Sequence, residues 1–205
     1  MHSYEEIIKN NLQWSEEIKI RFPDYFKELS GDQSPPFLYI GCSDSRLPLS
    51  IFTQTNPGEI FVHRNIANQV KPGDPNFLAV LEFAVDVLKV KHIIVAGHYD
   101  CGGIKAAVKN SAVGYVKKWI KDIRKLYLKS KNELNISKDF KEECDLLSEL
   151  NVIKQIENLL KTRVIKNSIK NKTLPQLHGW IINIYNGEIK ELALPIAEWK
   201  EKKLI

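Results

Sequence analysis

Apolar residues in this chain alternate between two habits: short unbroken runs, and longer stretches in which they recur every three or four positions. "FLYIGC" at 37–42, "EIFVHR" at 59–64 and "HIIVAGH" at 92–98 are short, apolar and bounded by turn residues, which suits strands buried on both faces. "PNFLAVLEFAVDVLKV" follows with the helical period, and Pro75 at its start suits a first turn, where no backbone N–H is needed. "GGIKAAVKN" begins another helix after the third strand, and residues 115–170 read as mostly helical. Upstream, residues 4–29 read as two amphipathic helical segments broken near Pro23, with a loop from Ser30 to Pro36. Near the carboxyl end, Asn186-Gly187 lies between two β-rich runs in "LHGWIINIYNGEIKELAL", a hairpin signal.

Strands alternating with helices predict an α/β fold: a mainly parallel β-sheet core flanked by helices, an antiparallel edge strand and an amino-terminal helical arm. With 205 residues the chain can bury one full core and is short for two, so residues 1–205 are expected to form one domain, with 1–34 as the arm and 35–205 as the α/β core.

Composition narrows the picture. Apolar content of 43% argues against long disorder. The net charge of +5 concentrates in "VKKWIKDIRKLYLKSK", where seven basic residues between Lys117 and Lys131 face a single Asp122. Val116, Trp119, Ile120, Ile123, Leu126 and Tyr127 recur there at helical spacing, so the lysines are expected on the wet face, with no nucleic-acid partner. The amino end is charged throughout and lacks the plan of a secretory signal, no run reaches transmembrane length, and no membrane association is expected. Cys42, Cys101 and Cys144 are too few and odd in number for a disulfide framework, which points to a reducing cytoplasm and to thiols available for metal or catalysis.

The chemistry gathers at two strand ends. In "YIGCSDSRLP", Cys42, Asp44 and Arg46 stand at alternate positions and project to one side if the strand continues through them. The third strand ends in "GHYDCGG", placing His98 at its carboxyl end and Cys101 at or just before the next helix. Ligand sites of open parallel sheets collect outside the carboxyl ends of strands where the connection reverses direction. If those ends meet, Cys42, His98 and Cys101 form a Cys2His set, a donor set suited to a tetrahedral zinc that keeps one open position. Helix amides beside Cys101 favour its thiolate, and Gly102 and Gly103 let backbone approach the metal or a substrate. Singly, each piece has a plain structural reading: a buried cysteine is usually a small apolar residue, and one His-x-x-Cys is a weak motif. Cys144 keeps that reading, and His2, His63, His92 and His178 are read as structural or surface residues.

"CSDSR" followed by "GHYDCGG", with "NPGEIFVHRNIANQV" between, resembles the β-class carbonic anhydrases from about Phe37 to Val108, and more loosely through "LHGWIINIYNG". The resemblance implies one Zn²⁺ per subunit on Cys42, His98 and Cys101, with Asp44 and Arg46 as a catalytic dyad and Asp44 as a fourth ligand in a closed state. It implies reversible hydration of carbon dioxide to bicarbonate and a proton, in a homodimer or tetramer whose amino-terminal helices clasp a second subunit. Zinc acidifies a bound water, but two thiolates offset the ion's charge, so activity is expected to rise above about pH 8. In the family's open-site subgroup a glutamine precedes "PGE"; here Asn56 stands there and Gln54 lies two residues earlier. The bicarbonate-regulated subgroup has a tryptophan where Tyr39 stands, an arginine matched by Arg64, and a tyrosine where Ile182 falls. The alternatives are a carbonyl sulfide or carbon disulfide hydrolase on the same fold, or a non-catalytic zinc-binding scaffold. A redox role is disfavoured because Cys42 and Cys101 do not form Cys-x-x-Cys, and a nucleotide site because no glycine-rich phosphate loop follows the first strand.

Overall fold

The structure is a computed structural model that describes residues 2–134 and 139–205, with backbone only at 132–134. It divides into two units, Met1–Ser34 and Pro35–Ile205.

In the first unit, helix α1 (Tyr4–Arg21) opens on a capping box: the Ser3 hydroxyl accepts from the Glu6 amide, and the Glu6 carboxylate accepts from the Ser3 amide. It buries none of its residues, leaving Ile7, Leu12 and Ile20 exposed. Pro23 separates it from α2 (Tyr25–Leu29), and the Trp14 and Phe26 rings meet edge to face at 5.7 Å.

The second unit is built on β1 (Phe37–Cys42), α3 (Leu49–Thr53), β2 (Ile60–Asn65), a 3-10 turn (Ile66–Asn68), α4 (Pro75–Glu82) continued by a π-type turn, and β3 (His92–His98). It goes on through α5 (Gly102–Lys109), α6 (Gly114–Trp119), α7 (Lys121–Leu134), α8 (Phe140–Leu160), α9 (Arg163–Lys170), β4 (Gln176–Ile182), β5 (Ile189–Glu191) and α10 (Ile196–Glu201). The strands form one sheet in the order β2-β1-β3-β4-β5, parallel except for the antiparallel pair β4 and β5.

Strand alternation explains why the runs are apolar on both faces. Leu38, Ile40, Ile93, Val95 and Ile181 join the core that includes α4, α8 and α9, while Tyr39, Ile94, Ala96 and Ile182 pack on the other face with Leu47 and Leu49. A β-carbon on Gly97 would come within 2.8 Å of Val152, so that glycine lets α8 lie directly on β3.

Two sequence expectations change in detail. The basic stretch is not one helix: it breaks at Ile120 between α6 and α7, and Ile120, Ile123 and Tyr127 are buried while Val116 is exposed. Its lysines border a cleft of about 840 Å³ together with Asp74, Asp122 and Glu157, so the surface there carries both signs. The hairpin signal is correct in place, but residues 183–188 form a longer connection in which Gly187 takes φ +77°.

Candidate metal centre

Between β1 and β3 the chain's path reverses, since β1 leads outward to β2 and β3 leads the other way to β4. That is the switch point at which an open parallel sheet leaves a crevice beyond its strand ends. Gly41 stands opposite Ala96, so Cys42 and His98 leave the sheet side by side. Cys101 is the N-cap of α5 and returns to the same place. The Sγ atoms of Cys42 and Cys101 are 3.9 Å apart, and these two sulfurs and a ring nitrogen of His98 all lie within 4.8 Å of one another. All three residues are buried.

The donor set fits a metal ion on a direct observation. His98 Nδ1 is 2.8 Å from the Tyr99 carbonyl, to which it donates, leaving Nε2 as the free acceptor. That Nε2 is buried and has no hydrogen-bond partner. A buried polar nitrogen without a partner is costly, and one facing two sulfurs has a natural occupant in a cation.

Electrostatics around the sulfurs agree. The Cys42 thiol is lowered to about 4, chiefly by donation from Cys101 and against burial, with the His98 ring and the Ala67 amide adding to it. Cys101 is pushed up by Cys42 and by burial, although the amides of Ile104 and Gly103 at the start of α5 pull the other way. Each sulfur thus makes it harder for the other to carry a second negative charge. The expected pull of the helix amides on Cys101 is present, but its neighbour outweighs it.

Asp44 and Arg46 do not continue the strand. β1 ends at Cys42, and a turn follows in which the Leu47 amide donates to the Asp44 carbonyl. Asp44 Oδ1 accepts from the Arg46 amide at 3.0 Å and Nε at 2.9 Å, and Oδ2 accepts from Nη2 at 2.8 Å. This two-pronged clamp holds the Asp44 carboxyl well below the usual carboxylate range. Asp44 Oδ2 lies 3.7 Å from His98 Nε2, beside the donor set.

Several residues shape this turn in ways the sequence did not mark, Arg64 having figured there only as the match to a subgroup's arginine. Arg64 of β2 donates to the carbonyls of Cys42 (2.8 Å), Asp44 (2.9 Å) and Leu47 (3.1 Å), so all three of its guanidinium nitrogens help fix the loop. Ala67, fully buried at φ +60°, turns its amide toward Cys42, and Asn151 of α8 donates to its carbonyl at 3.1 Å. A β-carbon on Gly103 would meet Ala67 Cβ at 3.0 Å, which explains that glycine; one on Gly102 would meet nothing within 4 Å. Neither alanine in a left-handed conformation nor a distant asparagine can be read from local pattern.

Other sequence-singled residues fall elsewhere. Gln54 caps α3 at φ +53° and turns its amide onto the Ile51 carbonyl. His63 is buried against Asn65, Cys144 is buried in α8, and His92 contacts His178.

A family model described as carbonic anhydrase matches residues 37–189. The chain belongs to the β-carbonic anhydrase family. It is 40% identical over 190 residues to a carbonic anhydrase of Emericella nidulans, covering 93% of this chain and 83% of that protein. Among solved structures, the β-carbonic anhydrase CafA of Aspergillus fumigatus superposes with a TM-score of 0.88 at 34% identity, covering 97% of this chain and 96% of that one. One of two tetrameric β-carbonic anhydrases from Sordaria macrospora gives 0.87 at 37% identity, over 93% and 96% of the respective chains. The family fold is therefore the one expected from the strand pattern, and the paired motifs occur in this chain within the matched region.

Proposed function

We propose that this carbonic anhydrase binds one Zn²⁺ per subunit through Cys42, His98 and Cys101 and catalyses reversible hydration of carbon dioxide to bicarbonate and a proton. The observation that carries the reading is the unpartnered His98 Nε2 facing two buried sulfurs. Tetrahedral zinc with sulfur ligands near 2.3 Å sets its sulfurs about 3.8 Å apart, close to the 3.9 Å between Cys42 and Cys101. Thiolates and imidazole favour zinc over harder cations. Bound there, zinc would supply a Lewis acid that acidifies a water, less strongly than with neutral ligands because two thiolates offset its charge.

The chain's own residues supply orientation. Asp44 stays ionised because Arg46 clamps it, so Oδ2 accepts a hydrogen bond from the attacking water and turns its lone pair toward carbon dioxide. The carboxylate is engaged by Arg46 rather than grouped with the three donor atoms, which favours Asp44 as an orienting acceptor over a fourth ligand. Gly102, with open space where a side chain would stand, leaves the rim of the site clear for a small linear substrate.

Self-association belongs to the same reading. The exposed apolar side chains of α1 suit a helix that docks on a second copy of the chain, in a homodimer or homotetramer, and the Sordaria relatives are described as tetrameric. Sulfur ligands require reduced thiols, which suits a cytoplasmic setting. No helix among the described residues is long and apolar enough to cross a membrane.

The deciding experiment combines metal analysis with stopped-flow hydration across pH. Wild type should carry one zinc per chain and hydrate carbon dioxide. Asp44→Asn should keep the zinc and lose most of the rate, about 10²-fold or more. Full hydration in that variant, or sulfide release from carbonyl sulfide exceeding carbon dioxide turnover, overturns the reading.

A further inference from the structure

The proposed reaction gives Asp44 and Arg46 their parts but does not say what fixes Arg46. Its side chain is 49% exposed and it sits in the turn after β1, outside regular structure. Asp44 belongs to that same turn, two residues away, so the clamp between them cannot by itself hold either group in register with β3. Exposed pairs joined only to each other contribute little order.

A second carboxylate supplies the missing tie. Arg46 Nη1 donates to Asp100 Oδ2 at 3.0 Å, and Nη2 also reaches the Asp100 carbonyl at 3.3 Å. The other Asp100 oxygen, Oδ1, is paired with Lys105 Nζ from α5. Asp44, Arg46, Asp100 and Lys105 thus form a row of alternating charge that runs from the β1 turn to the helix after β3. Asp100 stands between His98 and Cys101 at φ +62°. Aspartate tolerates that left-handed conformation better than most residues, and such conformations persist where the surroundings hold them. Here one backbone reversal brings Cys101 to the head of α5, and the same residue aims its carboxylate at Arg46.

We propose, resting on the reaction described above, that Asp100, backed by Lys105, is a positioning residue that fixes Arg46, and through it the Asp44 carboxylate, relative to His98 and Cys101. It ties the two turns that carry the site's chemistry. A plain surface salt bridge would leave turnover untouched.

Asparagine and glycine both accommodate a positive φ, so Asp100→Asn and Asp100→Gly remove the charge or the whole side chain without straining the turn. In the zinc-loaded protein, either change should lower kcat about tenfold with KM little changed, at unaltered zinc content. Lysine cannot bridge two carboxylates as arginine does, so adding Asp100→Asn to Arg46→Lys should cost less than about twofold more. In the metal-free protein, the Arg46 Nε–H resonance should exchange slowly with water in wild type and markedly faster in Asp100→Asn. Full turnover in both single variants, a full tenfold multiplication in the Arg46→Lys background, or unchanged Nε–H exchange would each overturn the assignment. The exchange measurement uses neither metal nor substrate, so it decides the role of Asp100 even if Asp44→Asn hydrates carbon dioxide normally and the reaction itself is misread.

Discussion

At the amino end of the sheet, His92 and His178 lie on neighbouring strands with their Nδ1 and Nε2 atoms 3.1 Å apart. His178 Nδ1 is 2.9 Å from the Glu191 carboxylate, and the His92 ring stacks on Phe37 at 5.1 Å. At the carboxyl end, His98 has one nitrogen on a carbonyl and the other buried without a partner beside two sulfurs. The first arrangement is complete as it stands; the second leaves a buried nitrogen that a metal ion could satisfy. Backbone conformation differs in the same sense. The left-handed residues before the amino ends of β3 and β4, Lys89 and Lys172, are exposed at helix termini, whereas Ala67 at the other end is fully buried. Histidine content does not separate the two ends. Unsatisfied polarity and buried strain do, and both cost stability, so they persist where the surroundings or a function retain them.

The largest effect should come from breaking the contrast outright. His98→Ala should retain no stoichiometric metal and show only background hydration, measured by metal analysis and stopped-flow assay. Next, Arg64→Ala leaves three carbonyls of the Cys42 to Leu47 segment without their donor, and should cost about 3 kcal/mol in denaturant unfolding together with most of the activity. Arg64→Lys should recover little of either, because a single ammonium cannot reach three carbonyls as a planar fork does. A sharper, smaller comparison lies within one dipeptide. Gly103→Ala must push against Ala67 and Ile66 and should cost about 1–3 kcal/mol, whereas Gly102→Ala meets open space and should be neutral or stabilising by up to about 1 kcal/mol. Smallest of all, His178→Gln at the satisfied end should cost about 1 kcal/mol in thermal unfolding and leave metal content and turnover at wild-type levels. Loss of metal in that variant would erase the distinction between the two ends.

Much of this is legible in the sequence. Runs of apolar residues located β1, β2 and β3 to within a residue; β1 and β3 are buried on both faces as expected, whereas β2 is an edge strand that is mostly half-buried and leaves Val62 exposed. "GHYDCGG" located His98 at a strand end and Cys101 at a helix start, since glycines after a buried run mark that junction. The condition for Asp44 and Arg46 to share a strand face fails, because β1 ends at Cys42 and the two meet through a bend held by Arg64. Nothing local marked Arg64, Ala67, Asn151 or Asp100 as shaping the site, because each acts through a backbone group or a charge far along the chain.

What the amino-acid sequence determined by itself is the inventory and its placement along the chain: two thiols, an imidazole and a carboxylate–guanidinium pair at the ends of buried strands, in an order that implies a parallel sheet. Those follow from short-range physics, periodicity and turn chemistry. Only the tertiary structure decided that the two ends meet at the reversal between β1 and β3, which nitrogen of His98 is left without a partner, and which distant residues hold the turn. Those depend on strand order and on contacts between positions dozens of residues apart, and no local pattern encodes them.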